Sequence, residues 1–191
     1  MTISATRPSP RSLAGLRGVY LARAVFAVAW ALAVVVAMPD LGPVLTALLV
    51  VYPVVDAGAV VVAARSDGRA SSPRIAEKAN IVVSCLVAIA VGVASTMSIA
   101  AAVGVWGAWA VLSGATQLIT AVQRRRAGGQ TPQILSGAIS VAAGTSFVAQ
   151  AVAGSDSITG VGGYALLGGL FFLVSAGRLT MILRASERAR S

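Results

Sequence analysis

The sequence contains no histidine, a single cysteine (Cys85) and few charged residues, which make up 11% of its 191 positions. Without histidine the chain has no Cys-His or Ser-His catalytic pair. One cysteine excludes an internal disulfide and any Cys-rich zinc site. Because a soluble domain carries about 25% charged residues, the composition excludes an ordinary soluble fold. These absences predict a non-enzymatic protein without a metal or a cofactor.

What the chain has instead is apolar sequence: 57% of its residues are hydrophobic and its mean hydropathy is +0.86. A membrane-spanning helix needs about 20 apolar residues to cross about 30 Å of hydrocarbon. The composition therefore predicts an all-α integral membrane protein. Its richness in Arg, Ala, Val and Gly is typical of GC-rich bacterial genomes.

The apolar runs predict six transmembrane helices in three hairpins, at about residues 19–64, 79–123 and 134–183. Residues 1–18 are predicted to be a disordered cytoplasmic tail and residues 185–191 a second one, on either side of a membrane domain at 19–184. The segment Ala79–Gln123 carries no charge over 45 residues, which is about two spans. We expect its turn near Thr96-Met97-Ser98.

The basic residues predict the orientation of the helices. The net charge is +9, and all fifteen Lys and Arg residues lie in or beside the two tails and two polar loops. The three turns on the other side carry only Asp40 and Asp156. By the positive-inside rule, both termini are cytoplasmic. The clustering also predicts that arginine-rich loops contact anionic lipid headgroups rather than nucleic acid.

The even-numbered helices share a pattern that predicts a threefold internal repeat. Each copy has an aromatic residue, a residue four positions later, a small residue after that, and an alanine twelve positions after the aromatic. The copies are Tyr52, Asp56, Ala57 and Ala64; Trp109, Ser113, Gly114 and Ala121; and Tyr164, Gly168, Gly169 and Ala176.

This pattern resembles the HdeD-like family of small bacterial inner-membrane proteins. The matching segments are Tyr52-Pro-Val-Val-Asp56-Ala-Gly58, Trp109-Ala-Val-Leu-Ser113-Gly114 through Ala121, and Tyr164-Ala-Leu-Leu-Gly168-Gly169. They fall within a resemblance that extends from about Leu21 to Arg184. It implies a six-helix membrane protein in a family whose best-known member is linked to acid resistance, and most of whose members have no defined biochemical activity.

Asp56 is the only acidic residue inside a predicted span, and Arg23 and Arg178 lie in the cytoplasmic ends of their own spans. A carboxylate at the centre of a membrane helix costs about 2.5–3.5 kcal/mol on insertion scales, so it usually faces a partner or a cavity. One interpretation is a protonatable switch that responds to cytoplasmic pH and is coupled to Arg23 or Arg178. The other is a structural ion pair that fixes the first hairpin in the bundle. Both arginines could instead extend to the headgroups.

Other polar, small and aromatic residues in the spans favour structural roles. Small residues at every fourth position of spans three and five predict close helix packing. They are Ser84, Ala88, Gly92 and Thr96 in span three, and Ser136, Ser140 and Gly144 in span five. Trp106, Trp109 and Tyr164 are expected at the outer interface as an aromatic belt or in packing, Asn80 and Gln117 in interhelical hydrogen bonds, and Cys85 in the core.

Three classes of function are compatible with these features. The first is a non-enzymatic membrane protein of the HdeD-like kind that acts in acid or envelope stress, alone or as a homo-oligomer. The second is a small proton-linked transporter with Asp56 as its coupling carboxylate. The third is an assembly factor that docks cytoplasmic proteins on its arginine loops. Because Asp56 has few polar companions in the spans, we favour the first.

Overall fold

The computed structural model describes residues 10–37, 42–66, 75–123 and 131–188, which form a bundle of α-helices without a strand. The six helices in these residues are α1 (Pro10–Ala37), α2 (Pro43–Ser66), α3 (Ile75–Ala94), α4 (Ile99–Gln123), α5 (Thr131–Val152) and α6 (Thr159–Arg188). Most of the first predicted turn, most of the loop after α2 and the arginine cluster at residues 124–126 lie outside the described residues. So do residues 1–9 and 189–191.

Five of the described helices are long and apolar enough to cross a membrane, and α3 is the exception. The apolar part of α3 is Lys78–Ala94, which falls short of the about 20 residues that span the hydrocarbon. The six predicted helices are thus present, five of them have the length and composition to span a membrane, and a span at α3 stays a prediction.

The ends of several helices also differ from the predicted boundaries. α1 begins at Pro10, within the stretch predicted to be a disordered tail, and α6 continues to Arg188 rather than ending near residue 183. Proline suits the start of a helix because its missing N–H would have no intrahelical partner there. The turn between α3 and α4 lies at residues 95–98, where the sequence predicts it. There Ser98 Oγ accepts a hydrogen bond from the Ala101 N–H at 3.0 Å and so caps α4.

The helices form a closed ring in which each helix packs on the next one along the chain and α6 packs on α1. The most extensive packing joins α4 to α5, followed by α6 to α1 and α2 to α3. These are the seams between one predicted hairpin and the next. The packing inside each predicted hairpin is less extensive, and least so between α5 and α6.

Facing glycines produce the close seam between α4 and α5. Gly107 lies opposite Gly144, and a Cβ added to Gly144 would be 2.6 Å from the Gly107 carbonyl oxygen. Gly114 lies opposite Gly137, and its Cβ would be 2.8 Å from the Gly137 carbonyl oxygen and 2.6 Å from Ser140 Cβ. Because lipid tails remove the hydrophobic drive between helices, such backbone contact supplies the van der Waals attraction that holds them together.

The small residues of the predicted repeat are buried at corresponding places on the even-numbered helices. Ala57 on α2, Gly114 on α4 and Gly169 on α6 are all buried. Gly169 faces α1, where an added Cβ would lie 3.2 Å from Ala27 Cβ. These positions explain why the pattern requires small residues after each aromatic. The threefold repeat as a whole stays a prediction.

The centre of the ring is filled by seven aromatic side chains of the described helices, which we call the aromatic core. Their ring centroids lie 4.7–6.3 Å apart in a continuous network that receives members from every helix except α3. Rings of this size contribute large apolar contact areas and favour edge-to-face and offset arrangements. The aromatic core consists of Phe26, Trp30, Tyr52, Trp106, Trp109, Phe147 and Tyr164.

Placing Trp106, Trp109 and Tyr164 in an interfacial belt is therefore wrong, and the packing role is correct. Trp106 and Trp109 are only 0% and 3% exposed. Their indole N–H groups find acceptors inside the bundle, so the rings have no need of the water at the interface. Cys85, expected in the core, is instead exposed on α3.

A proline in α2 explains one of these indole bonds. Pro53 lies inside α2 and has no N–H, so the carbonyl of Leu49, four residues earlier, lacks its usual helical donor. Trp106 Nε1 of α4 donates to this carbonyl at 3.3 Å. Proline is tolerated in membrane helices where a neighbouring helix satisfies the freed backbone group. Pro53 and Trp106 thereby join α2 to α4 across the centre.

We expect Gly114→Ala to lower the stability of the protein by about 1–3 kcal/mol, the usual cost of overpacking. The added methyl group would meet backbone atoms of α5, which can yield only if the helices separate. The measurement is unfolding by SDS in detergent micelles, followed by tryptophan fluorescence. Gly163→Ala is the matched control, because a Cβ at Gly163 meets no atom within 4 Å. Equal unfolding midpoints for the two variants would contradict the glycine seam.

We expect Trp106→Phe to destabilise the protein by about 1–2 kcal/mol through the lost interhelical hydrogen bond, in addition to the smaller ring. In a Pro53→Ala background, Trp106→Phe should lower the stability of the protein measurably less. The reason is that a backbone N–H at position 53 would donate a hydrogen bond to the Leu49 carbonyl. SDS titration measures the stability lost on Trp106→Phe in the wild-type and in the Pro53→Ala background. If Trp106→Phe costs the same in both backgrounds, the indole bond does not compensate for the proline.

Candidate functional site

Asp56 is the centre of a hydrogen-bonded network inside the helical bundle. Its Oδ1 is paired with the Arg23 guanidinium of α1, and its Oδ2 accepts from Asn80 Nδ2 at 3.0 Å and from Ser84 Oγ at 3.3 Å. The side chain of Asp56 is only 10% exposed. One carboxylate on α2 is thus bonded to side chains of α1 and α3.

The local sequence places each of these partners. Asn80 and Ser84 are four residues apart on α3, so helical periodicity puts both on one face. Ala57 and Gly58, which follow Asp56, are small and allow the neighbouring helices to come close to it. The Arg23 guanidinium carbon lies 4.2 Å from the centroid of the Phe172 ring on α6. This cation–π contact adds a partner on α6 to the arginine that Asp56 pairs with from α2.

The network continues into the aromatic core. Trp109 Nε1 of α4 donates to Ser84 Oγ at 3.1 Å. Ser84 is fully buried, at 0% exposure, and its hydroxyl donates in turn to Asp56. A continuous chain of hydrogen bonds therefore runs from the Arg23 guanidinium through Asp56 and Ser84 to the Trp109 indole, across four helices. Partly desolvated pairs of this kind are strong only if all of their polar atoms are satisfied.

A cleft opens beside the ion pair between α1, α2 and α6. It is lined by Arg23, Phe26, Tyr52, Val55, Asp56 and Phe172. Its volume is about 210 Å³, including space that is open to the outside. Only about 10 Å³ of this space is free for the centre of a water molecule. A cavity needs about 10–15 Å³ by that measure to hold one water, so the cleft suits a single water molecule at most.

Of the residues singled out in the sequence, the structure brings Asp56 and Arg23 together. Arg178 lies exposed on α6, ten residues from the end of that helix, and the described hydrogen bonds of Asp56 come from other side chains. Asn80 makes an interhelical bond, as the sequence predicts, and its acceptor is Asp56 itself. The neutral residues Ser84 and Phe172 complete the site.

The remaining repeat residues lie on the inner side of the bundle or in its seams. Tyr164 joins α6 to α5 through a 3.1 Å hydrogen bond between its hydroxyl and Ser140 Oγ. Ser113 is the counterpart of Asp56 on α4, and its Oγ is buried without a hydrogen-bond partner among the described residues. Gly168, the counterpart on α6, lies beside the hydroxyl of Tyr52, which would be 3.8 Å from an added Cβ. The charged site therefore occurs at only one of the three corresponding positions.

Sequence reasoning missed the contributions of Ser84 and Phe172 to the site. Ser84 carries a detectable signal, because it shares a helical face with Asn80 in an apolar helix. Phe172 carries none, since one phenylalanine among many apolar residues of α6 does not indicate a contact with Arg23 on another helix. In the described part of the chain, no group of three His, Cys, Asp or Glu side chains comes close enough to hold a metal ion.

Part of the chain matches a known protein family. Residues 80–149, which run from α3 through α4 into α5, match the family described as a short repeat of unknown function (DUF308), the family to which HdeD belongs. The matched segment contains the second copy of the predicted repeat and the glycine seam. Curated proteins and solved structures were also compared, and neither comparison finds a match. The apolar helices and this match together indicate a multi-pass membrane protein.

We expect Asp56→Leu and Arg23→Leu each to destabilise the protein by about 3–5 kcal/mol, because each leaves a charge unpaired in the bundle. The double variant should recover most of this loss, since replacing a buried pair by apolar residues is often close to neutral. SDS unfolding of all three variants gives the coupling energy. Asp156→Asn, at an exposed turn carboxylate, is the control and should behave as wild type. Additive losses in the double variant would contradict the pairing.

Proposed function

We propose that this protein is a non-enzymatic membrane protein of the HdeD-like kind, which supports tolerance of acid or envelope stress in the bacterial plasma membrane. Both termini are cytoplasmic in this proposal, following the one-sided distribution of basic residues. The observation that carries it is the Arg23–Asp56 pair, a single charged site built into a bundle whose centre is closed by the aromatic core.

The closed centre favours a structural or signalling role over transport. Alternating access needs a substrate site at the midplane with polar groups on facing helices. Here that space holds Trp30, Trp106 and Trp109, each at most 3% exposed. The cleft beside Asp56 is small, and three side chains already donate hydrogen bonds to the carboxylate. A proton-linked permease with Asp56 as its coupling carboxylate is therefore the less favoured alternative.

The ion pair supplies a direct link to acid. Protonation of Asp56 would remove its charge and leave Arg23 charged, so the attraction between α1 and α2 would be lost. The other titratable groups around Asp56 are Tyr52 on its own helix and Tyr164 on α6. The hydrogen bonds that the carboxylate accepts from the described side chains of α3 come from neutral groups, Asn80 and Ser84. Arg23 is thus the partner whose interaction depends on the charge of Asp56.

Loss of this attraction would act on the arrangement of helices rather than on a catalytic step. Through Asp56 the network holds α1, α2 and α3 together, and through Ser84 it reaches Trp109 in the core. A change at the pair is therefore transmitted to the packing of the whole bundle, and from there to the surrounding lipid or to a bound protein. A cytoplasmic protein docked on the arginine loops would be one such bound protein.

We expect a strain that lacks this protein to survive acid challenge less well than its parent, and wild-type protein to restore survival. Asp56→Asn should fail to restore it, because the neutral amide cannot pair with Arg23 in a charge-dependent way. The measurement is colony survival across a series of acid pH values, with membrane levels of each variant matched by immunoblot. Asp156→Asn is the control and should rescue as well as wild type.

The outcomes separate the hypotheses. Equal rescue by Asp56→Asn would make Asp56 purely structural and remove the acid link. A deletion without any acid or envelope phenotype would refute the stress role. Proton flux into proteoliposomes that carry the wild-type protein, measured with a pH-sensitive dye and abolished by Asp56→Asn, would establish the permease in its place.

A further inference from the structure

The C-terminal end of α6 extends beyond the thickness of the hydrocarbon. The helix has 30 residues, which at 1.5 Å per residue is about 45 Å, whereas the hydrocarbon measures about 30 Å. Its other end follows a polar turn in which Asp156 and Ser157 are exposed, so that end lies at a membrane surface. About 20 residues of α6 then cross the hydrocarbon, and the segment from Arg178 to Arg188 reaches the headgroup layer on the opposite side.

One exposed face of this segment carries three arginines. Arg178, Arg184 and Arg188 are all exposed, and with Met181 they fall within an arc of about 120° on the helix surface. Met181 is 64% exposed among them. Only Glu187 offsets this charge among the described residues of the segment. An apolar methionine between arginines suits a surface that meets acyl chains and phosphate groups together.

The start of α1 lies at the same end of the bundle as this face and adds positive charge there. α1 packs along α6 and is anchored there by the Tyr20 ring, whose centroid is 6.0 Å from that of Phe172. Leu183 is buried close to the end of α6, so the last turns of this helix are still packed against the protein. Arg11 and Arg17 of α1 therefore belong to the same end of the bundle, and Arg11 is exposed.

We infer that the segment Arg178–Arg188 of α6 is a binding site for an anionic phospholipid. Its phosphate-bearing headgroup pairs with Arg184 and Arg188, and its acyl chains lie against Met181 and the apolar surface below. Charge complementarity identifies this occupant: a basic helical face at headgroup depth meets the anionic lipids of that leaflet first. This site is independent of the Arg23–Asp56 pair and of any role in stress.

The test compares Arg184→Gln/Arg188→Gln with Arg65→Gln/Lys78→Gln in the full chain. The second pair removes the same charge from exposed positions on α2 and α3. Native mass spectrometry of the protein in neutral detergent gives the dissociation constant for the first phosphatidylglycerol or phosphatidylcholine bound. Each arginine near a membrane surface contributes about fivefold in affinity, so the α6 pair should weaken phosphatidylglycerol binding about 25-fold. Phosphatidylcholine binding should not change.

The control pair should weaken phosphatidylglycerol binding by less than about threefold if the site is local, since it lies on other helices. If both double variants weaken phosphatidylglycerol binding equally, the lipid is held by diffuse attraction to the basic surface and not by a local site. If the α6 double variant does not weaken binding, the site is refuted. Competition by inorganic phosphate at lipid concentrations would identify a free anion as the ligand and also refute the lipid. If the α6 pair lowers the SDS-unfolding midpoint, the terminal Arg188→Gln alone should still weaken binding about fivefold.

Discussion

The charge of Asp56 has to be neutralised by the protein itself, because the hydrocarbon of a membrane supplies neither water nor counterions. This requirement constrains three helices at once. Arg23 must approach from α1, and Asn80 and Ser84 must approach from α3, so the carboxylate of α2 determines how its two neighbours are rotated. The cation–π contact of Arg23 with Phe172 extends the constraint to α6. One ionised side chain thereby specifies the register of more than half of the ring.

In the rest of the helical ring, α4 and α5 are held by close backbone contact rather than by charge. Between α4 and α5 the described residues form a seam of facing glycines, where attraction comes from van der Waals contact over a short distance. The two devices are complementary: a charged network gives directional specificity on one side of the bundle, and glycine packing gives tight contact on the other. The aromatic core joins both sides through the bonds of Trp106 and Trp109 to α2 and α3.

The division of the bundle into a charged side and a glycine-packed side bears on the proposed function. A filled centre and a carboxylate that already accepts three hydrogen bonds support the proposal of a protein that responds to its environment rather than one that moves a solute. Its charge-dependent element is on the α1–α3 side, whereas the match to the short-repeat family covers α3 to α5. The Arg23–Asp56 pair lies outside the matched segment, whereas the hydrogen-bond donors Asn80 and Ser84 lie inside it. In the proposed function, the specialised part of this chain is where its first predicted copy of the repeat has Asp56 and the other predicted copies have Ser113 and Gly168.

Composition and hydropathy alone determined that the chain is helical and embedded in a membrane, because the cost of unpaired backbone groups in lipid leaves few other structures. The charge-free runs also predicted the turn near Thr96, and the isolated acid and base inside apolar spans marked Asp56 and Arg23. Only the tertiary structure decided that α6 closes on α1, that the tryptophans point inward, and that Pro53 frees a carbonyl for Trp106. These features depend on which helix faces which, and periodicity along one helix contains no information about its neighbours. For the same reason Phe172 could not be assigned to the site from its sequence position, since its role arises entirely from contact with another helix.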